Sequence, residues 1–197
     1  WLGAQNPNLQ KAREALGRIA DDGRRAADVI GRIRALIKKE PPSMVAVEIN
    51  ETIREVIVLT QGEMTKNGVS LLTRLADGLP LVQGDKVQLQ QVILNLIINA
   101  AEAMASSDEE PRELHIATNS TDSQSVLVLV ADSGPGLAST NYERLFDAFY
   151  TTKPTGLGMG LPICRTIIEA HGGQLWASAN LPRGAVFQFT VPILPAG

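Results

Sequence analysis

Apolar residues recur at steps of three and four along the middle of the chain, and this spacing predicts a helix over residues 85–104. Asp85 follows a glycine and suits the N-cap, where a carboxylate accepts a free backbone N–H. The predicted buried face of the helix consists of Leu89, Val92, Ile93, Leu96, Ile97 and Ala100.

The same helix carries a polar stripe. Asn95, Asn99 and Glu102 stand at positions i, i+4 and i+7, so their side chains share one side of the helix. A buried amide without a partner costs about 1–3 kcal/mol, and both amides lie beside Ile or Leu. Two interpretations stay open: the amides bridge to a neighbouring strand, or they face a polar ligand or a metal ion.

A second apolar repeat lies near the N-terminus, over residues 8–39, and continues for about four heptads. It predicts a long helix that is stable only when packed on other helices. Lys and Arg dominate its outer faces, which indicates a solvated surface or a contact for an acidic partner. The apolar seam consists of Leu9, Ala12, Leu16, Ile19, Gly23, Ala26, Ile30, Ile33 and Ile37.

Pro41 and Pro42 end this helix, because neither residue can continue it. They predict a helical segment at residues 1–40, a linker at 41–44 and a second domain at 45–197. Asn50 is the predicted N-cap of the first helix in that domain. This order of elements predicts an α/β (α+β) sandwich, in which a mixed, mostly antiparallel sheet carries helices on one face. Strands are predicted at 45–49, 69–76, 113–120, 126–132, 174–179 and 185–191, and further helices at 50–66 and 162–170.

The composition narrows the class of protein. A net charge of −3 gives no general case for nucleic-acid binding. The single cysteine, Cys164, excludes an internal disulfide and fits a reducing compartment such as the cytoplasm. No run of about 18 apolar residues and no signal peptide occurs, so we expect no membrane contact within this chain. Because the chain opens at Trp1 rather than Met, we expect a longer parent protein, with any membrane or sensory segment upstream.

Two glycine motifs follow the long helix. Residues 132–136 (DSGPG) end a predicted strand, where Asp132 suits an exocyclic amine and the glycines admit a flat ligand. Such a motif is also common in structural turns. Residues 156–160 (GLGMG) enter the next helix, whose exposed N–H groups and dipole attract an anion. No strand precedes GLGMG and no GK[ST] occurs, which excludes dinucleotide-binding and Walker-type loops.

A loop-rich stretch separates the two motifs and contains FDAFYTTK. Phe146 and Phe149 are expected to anchor it to the core, so that the loop covers a pocket. Lys153 is either a phosphate contact or a solvated lysine. The stretch from about Ser139 to Gly156 exceeds the usual ~12–15 residues of a loop, which predicts a mobile lid ordered by nucleotide.

In this order, the Asn-bearing helix, DSGPG, FDAFYTTK and GLGMG resemble the N, G1, F and G2 boxes of two-component sensor histidine kinases, within the GHKL (Bergerat-fold) ATPase superfamily. The resemblance covers about residues 45–194, including the endings EAHGG and GAVFQFTVP. The upstream heptad helix is similar to the second helix of the family's dimerisation and phosphoacceptor hairpin. The short lid and its TTK element resemble those of nitrogen-regulatory and oxygen-sensing soluble-type kinases.

The resemblance implies ATP and Mg²⁺ as cofactors. Asn99 would bind Mg²⁺ through its amide oxygen, Asn95 would hold phosphate oxygens or the metal's waters, and Asp132 would accept from the adenine amino group. Lys153 and the backbone of residues 156–160 would meet the phosphates, so the expected catalytic residues are the two asparagines and this lysine. The other implied nucleotide contacts are Glu102, Ala103, Gly134, Gly136, Leu137, Phe149, Tyr150, Thr152, Gly156, Leu157, Gly158, Met159, Gly160, Leu161 and, under the adenine, Thr190.

The implied activity is phosphorylation of the protein's own His, within a homodimer, and relay to an Asp of a response-regulator receiver domain. The first hairpin helix with the acceptor is missing, and the only two histidines, His115 and His171, are expected to be structural. Asn95 stands where ATP-hydrolysing cousins have a Glu, and an amide cannot act as a base, which favours transfer over hydrolysis. Pro162 stands where the family usually has Ser, in a first turn that tolerates proline.

Two alternatives to a histidine kinase stay open. One is a serine kinase or ATPase of the same superfamily, against which the heptad helix argues. The other is a nucleotide-binding module without catalysis, against which the intact boxes argue.

Overall fold

In the computed structural model, the described residues are 9–17, 19, 43–107, 109–121, 124–137, 142–153 and 156–195. The chain divides into two compact units, Trp1–Glu40 and Pro41–Gly197. In the first unit, residues 9–17 and 19 are helical, and Leu9, Leu16 and Ile19 of the predicted seam are largely exposed. The rest of the predicted heptad helix lies outside the described residues.

The described part of the second unit mixes strands and helices. Among the described helices, none has the length and apolar character needed to cross a bilayer. In chain order the elements are β1 (Val45–Val47), α1 (Ile49–Lys66), β2 (Ser70–Leu75), β3 (Val82–Gly84), α2 (Lys86–Ala105), β4 (Glu113–Thr121), β5 (Ser125–Asp132), a 3₁₀ helix (Tyr142–Phe146), α3 (Gly160–Ala170), β6 (Leu175–Ala179) and β7 (Ala185–Pro192).

The main sheet has the strand order β2-β4-β5-β7-β6. β2 and β4 run parallel, whereas all other neighbours in this sheet run antiparallel. In β7, Phe187, Phe189 and Val191 are buried on one face, and the same alternation runs through β5. The helices share a core with this face, which confirms the predicted α/β sandwich. β1 and β3 form a separate antiparallel pair.

The long central helix, α2, forms as predicted. Its apolar face is buried in the core against the sheet. Asp85 is the N-cap, and its Oδ1 accepts the backbone N–H groups of Val87 at 3.0 Å and Gln88 at 3.2 Å. Local periodicity and capping chemistry were therefore sufficient to define this element.

The start of α1 differs from the prediction. The strand predicted at 45–49 ends two residues earlier, and Glu48 rather than Asn50 is the N-cap of the helix. Asn50 is a buried residue of the first turn. Its Nδ2 donates to the Ala76 carbonyl at 2.9 Å, and its Oδ1 accepts from Thr118 Oγ1 at 2.9 Å. The amide joins the helix to Ala76, just after β2, and to Thr118 within β4, and cap preference cannot reveal these contacts.

Candidate nucleotide-binding site

One side of α2 faces both glycine motifs. Asn99 lies beside the first residue of α3, because a Cβ placed on Gly160 would be 3.8 Å from Asn99 Nδ2. Ala103 lies one turn further along, where a Cβ on Gly134 would be 3.5 Å from its carbonyl carbon. Since four helical residues rise about 6 Å, α2 holds the end of β5 and the start of α3 close together.

Asp132 is the last residue of β5 and is 3% exposed. Its Oδ1 accepts the backbone N–H groups of Gly134 at 2.9 Å and Ala185 at 3.2 Å. Burial raises the pKa of the Asp132 carboxyl above its ordinary value of 3.8, and the two backbone hydrogen bonds oppose this rise. A carboxylate held in this way is a directional acceptor for an amine.

Three polar side chains meet at the other end of the site. Lys153 Nζ lies 3.1 Å from Asn99 Oδ1 and 2.5 Å from Glu102 Oε2. An amide oxygen and a carboxylate oxygen therefore hold a positive charge at one point. These are oxygen ligands of the kind that Mg²⁺ prefers, so the donor set fits that ion. Among the described residues, no group of three His, Cys, Asp or Glu side chains could hold a metal alone.

Asn95 connects α2 to α3. Its Nδ2 donates to the Sγ of Cys164 at 3.7 Å, and Cys164 is completely buried. The contact orients the amide at the point where the two helices meet. Among the described residues, this half-buried amide therefore hydrogen-bonds to a helix and not to a strand.

The GLGMG loop is packed against the FYTTK segment. The N–H of Phe149 donates to the Gly158 carbonyl at 3.1 Å, and Gly158 has a φ of +65°. A Cβ at Gly158 would lie 2.5 Å from the Tyr150 carbonyl oxygen, and one at Gly156 would lie 2.6 Å from Thr151 Oγ1. A side chain at Gly158 would meet backbone atoms, so glycine is required there, and the close approach brings the GLGMG backbone next to the lysine-bearing segment. Within the predicted lid, residues 139–141 and 154–155 lie outside the described residues.

The two phenylalanines of this segment differ. Phe146 is 6% exposed and anchors the 3₁₀ helix to the core, with the Arg165 guanidinium 4.9 Å from its ring centre. Phe149 is 76% exposed at a φ of +67°, so the expectation that it also anchors the loop is wrong. Its backbone bond to the glycine loop turns the side chain outward, which the apolar character of the residue does not reveal.

The remaining predicted contacts surround the same region. Leu137 and Leu161 pack partly against the core, Met159 is the N-cap residue of α3, and Gly136 has a φ of +82°. Thr152 and Leu157 are exposed.

Thr190 does not lie under the candidate adenine site. It alternates with the buried Phe189 and Val191, so it lies on the opposite face of the sheet. Its Oγ1 accepts from the Gln174 N–H at 3.1 Å, and it pairs with Leu127, far along β5 from Asp132. The period-two alternation in the sequence contained the signal that places it there.

Sequence reasoning missed two residues that hold Asp132. Ala185 donates its N–H to the carboxylate, and Asn180 Nδ2 donates to the Asp132 carbonyl oxygen at 2.8 Å. Asn180 lies in the turn between β6 and β7, and Ala185 is the first residue of β7. A signal was present in the hairpin spacing, but the pairing of β7 with β5 is not evident from the sequence.

Residues 84–195 match the family described as Histidine kinase-, DNA gyrase B-, and HSP90-like ATPase. The chain is 40% identical over 194 residues to sensor histidine kinase TmoS of Ectopseudomonas mendocina and 39% identical over 190 residues to sensor protein FixL of Bradyrhizobium diazoefficiens. These alignments cover 98% and 96% of this chain, but only 20% and 37% of the two relatives. The chain therefore spans well under half the length of these proteins.

Solved structures share the fold. The nucleotide-free catalytic domain of histidine kinase ThkA aligns with a TM-score of 0.68 and 34% identity, covering 77% of this chain and 96% of that one. Full-length ShkA in complex with AMPPNP aligns with a TM-score of 0.78 and 26% identity, and the alignment covers 98% of this chain and 41% of that one. ThkA in complex with response regulator TrrA aligns with a TM-score of 0.78 and 29% identity, and the alignment covers 98% of this chain and 54% of that one.

Proposed function

This chain belongs to the histidine kinase-, DNA gyrase B-, and HSP90-like ATPase family, and we propose that its parent protein transfers the γ-phosphoryl group of ATP to one of its own histidines. The second unit contains the ATP-binding catalytic region of a sensor histidine kinase. The observation that carries the proposal is the meeting of Asn99, Glu102 and Lys153 one helical turn from the motif that ends β5.

Each end of the site has a separate task. Asp132 accepts from the amino group of adenine, and the glycines after it let the base approach the backbone. The N-terminus of α3 and the ammonium of Lys153 bind the phosphates. Asn99 and Glu102 supply oxygens for Mg²⁺, which neutralises phosphate charge when it is bound with ATP. Phosphoryl transfer depends mainly on positioning and charge neutralisation, and these residues provide both.

Asn95 favours transfer to a protein group over hydrolysis. Its amide cannot take a proton from water, and its Nδ2 is directed to Cys164. General-base assistance is worth about 10²–10⁴-fold, so its absence at this position slows the competing reaction with water. Transfer of the phosphoryl group to an incoming histidine is thus favoured over its transfer to water.

The partners of the parent protein follow from the same proposal. Its acceptor histidine lies on a first hairpin helix, and the heptad seam pairs with that hairpin in a homodimer. The response regulator is the next acceptor, which agrees with the ThkA–TrrA complex among similar structures. Because ATP is a cytoplasmic substrate, we place this region in the cytoplasm.

Labelled ATP tests the proposal. Calorimetry should first show Mg²⁺-dependent ATP binding by the chain. The chain alone should then stay unlabelled and hydrolyse ATP slowly, since it carries no acceptor box. Adding the acceptor hairpin of the parent protein should produce a label that is labile to acid and stable to base, as in phosphohistidine. Rapid ATP turnover by the chain alone, or an acid-stable phosphoserine, would assign it to the ATPase or serine-kinase branch.

A further inference from the structure

The turn between β6 and β7 closes tightly on the end of β5. Asn180 Nδ2 donates to the Asp132 carbonyl oxygen at 2.8 Å, and the Asn180 N–H donates to the Gly184 carbonyl at 3.0 Å. A Cβ at Gly184, where φ is +106°, would lie 1.9 Å from that same Asp132 oxygen. The turn therefore touches the backbone of Asp132 at two points.

The hydrogen bond from Asn180 replaces one that the sheet lacks. The ladder between β5 and β7 ends at the pair Ala131 and Val186, one residue before Asp132. On the other side, Asp132 still pairs with Leu114 of β4. Beyond the last ladder pair, the buried carbonyl of Asp132 needs another donor, because an unpaired buried carbonyl is costly. The Asn180 amide supplies it.

The same turn also orients the carboxylate. Gly184 leads directly into Ala185, whose N–H donates to Asp132 Oδ1 together with that of Gly134. Among the described residues, both donors reach Oδ1 and none reaches Oδ2. With Oδ1 occupied, Oδ2 is the oxygen that can accept from a ligand. The direction of Oδ2 thus depends on how firmly the turn holds Asp132.

We infer that Asn180 is a positioning residue that sets the selectivity of Asp132 for the amino group of adenine. This inference rests on the proposed function. An ionised carboxylate can accept hydrogen bonds but cannot donate them. It therefore binds an exocyclic amine and repels a carbonyl oxygen at the same position. A polar site discriminates strongly only while its acceptor is held in place. Asn180 acts through the backbone of Asp132 and does not contact the base itself.

The turn has a second anchor, which allows Asn180 to be tested alone. Arg183 pairs with Glu109, and its other nitrogen donates to the Pro111 carbonyl at 3.1 Å. These contacts hold the turn to the segment before β4 and are independent of Asn180. A variant at Asn180 therefore keeps the turn attached to the domain.

The experiment compares two ligands on the full chain, ATP and purine riboside triphosphate, which lacks the amine. Wild type should prefer ATP. Asn180→Ala should weaken ATP binding by about fivefold to tenfold and leave the affinity for the analogue unchanged, since one hydrogen bond to the amine is misdirected. Asn180→Leu, which keeps the branched shape of the side chain but has no donor and no charge, should give the same loss. Arg183→Ala, in the same turn, should preserve the preference.

Each outcome has one meaning. Equal weakening of both ligands in the Asn180 variants would show a merely structural role and overturn the inference, as would an unchanged preference. If wild type binds neither ligand, or does not distinguish them, the proposed function fails instead. Thermal melting of each variant shows whether it is folded, and Asn180→Leu serves as the test if Asn180→Ala is not.

Discussion

The ammonium of Lys153 lies 3.1 Å from the amide oxygen of Asn99, the atom expected to bind the metal ion. The lysine ammonium and Mg²⁺ cannot both bind this oxygen, because two positive charges so close together repel strongly. We therefore expect binding of Mg²⁺ with ATP to move Lys153 from Asn99 toward the phosphates. In the structure, the Lys153 ammonium occupies the position that we propose for the metal ion.

Lys153→Met should lower the affinity for Mg²⁺-ATP by about tenfold or more, because a charge-assisted hydrogen bond is worth about 1.5–3 kcal/mol. Adenosine, which has no phosphates, should bind equally to wild type and variant. Lys86→Met is the matched control, since Lys86 pairs with Glu55 at 2.7 Å between α1 and α2, outside the site. Calorimetry measures all three proteins, and equal losses for adenosine and ATP would contradict the phosphate role.

Asn99→Ala should weaken ATP binding in Mg²⁺ by about tenfold but change it little in EDTA, because the residue acts through the metal. Gln90→Ala is the control on the same helix, where Gln90 donates to Glu55 rather than to the site. Titrations with and without chelator test this. A loss of the same size in EDTA would show that the amide contacts the nucleotide directly.

Asp132 should make ATP binding depend on pH. Burial raises the pKa of its carboxyl, so the acceptor is protonated at a higher pH than an ordinary Asp, and ATP affinity should fall on acidification through that raised pKa. For folding the sign is opposite: the raised native pKa favours the protonated form, and this stabilisation is lost as pH rises through it. Asp132→Asn should therefore lose ATP binding, and at about pH 7 its free energy of unfolding in urea should be higher than that of wild type. A variant less stable than wild type there would refute this account.

His171 should be a stability residue. Its Nδ1 lies 2.7 Å from the Ile167 carbonyl and so carries the proton, while its Nε2 accepts the Asp85 N–H at 2.9 Å. His171→Ala leaves that buried N–H unpaired and opens a cavity, which should cost about 2–4 kcal/mol in urea unfolding. His115→Ala, at an exposed ring beside Glu113, should stay within about 0.5 kcal/mol. A similar effect of both substitutions would contradict the contrast.

Two glycines should respond in opposite directions to alanine. A Cβ at Gly173 would lie 1.8 Å from the Thr190 carbonyl oxygen, so Gly173→Ala must displace β7 and should cost more than about 2 kcal/mol. Gly62 lies in α1 with nothing within 4 Å of such a Cβ. Gly62→Ala should stabilise the domain by about 0.5–1 kcal/mol through helix propensity. Melting temperatures of the two variants on either side of wild type are the expected result.

Local sequence patterns were sufficient to predict the features that are set by residues close together in the sequence. The spacing and cap of α2, the glycine motifs and the last hairpin all follow from stretches of a few turns. The contacts that complete the site do not. Lys153 reaches Asn99 across 54 residues and Asn180 reaches Asp132 across 48, so only the folded sheet brings them together. Phe149 turned outward because of its backbone conformation, which its side-chain type does not indicate.

Four of the five strands of the main sheet form two local hairpins, β4–β5 and β6–β7, which are joined along a seam by the pairing of β5 with β7, and β2 adds to the free edge of β4. Each hairpin closes a short loop, whereas the seam closes a long one that contains the lid and α3, and long loops close slowly. The hydrogen bond from Ala185 to Asp132 crosses this seam. We therefore expect the adenine site to form only when the β6–β7 hairpin docks on β5, late in folding. A nucleotide that binds there would slow the separation of the two halves, while leaving the rate at which either hairpin forms unchanged.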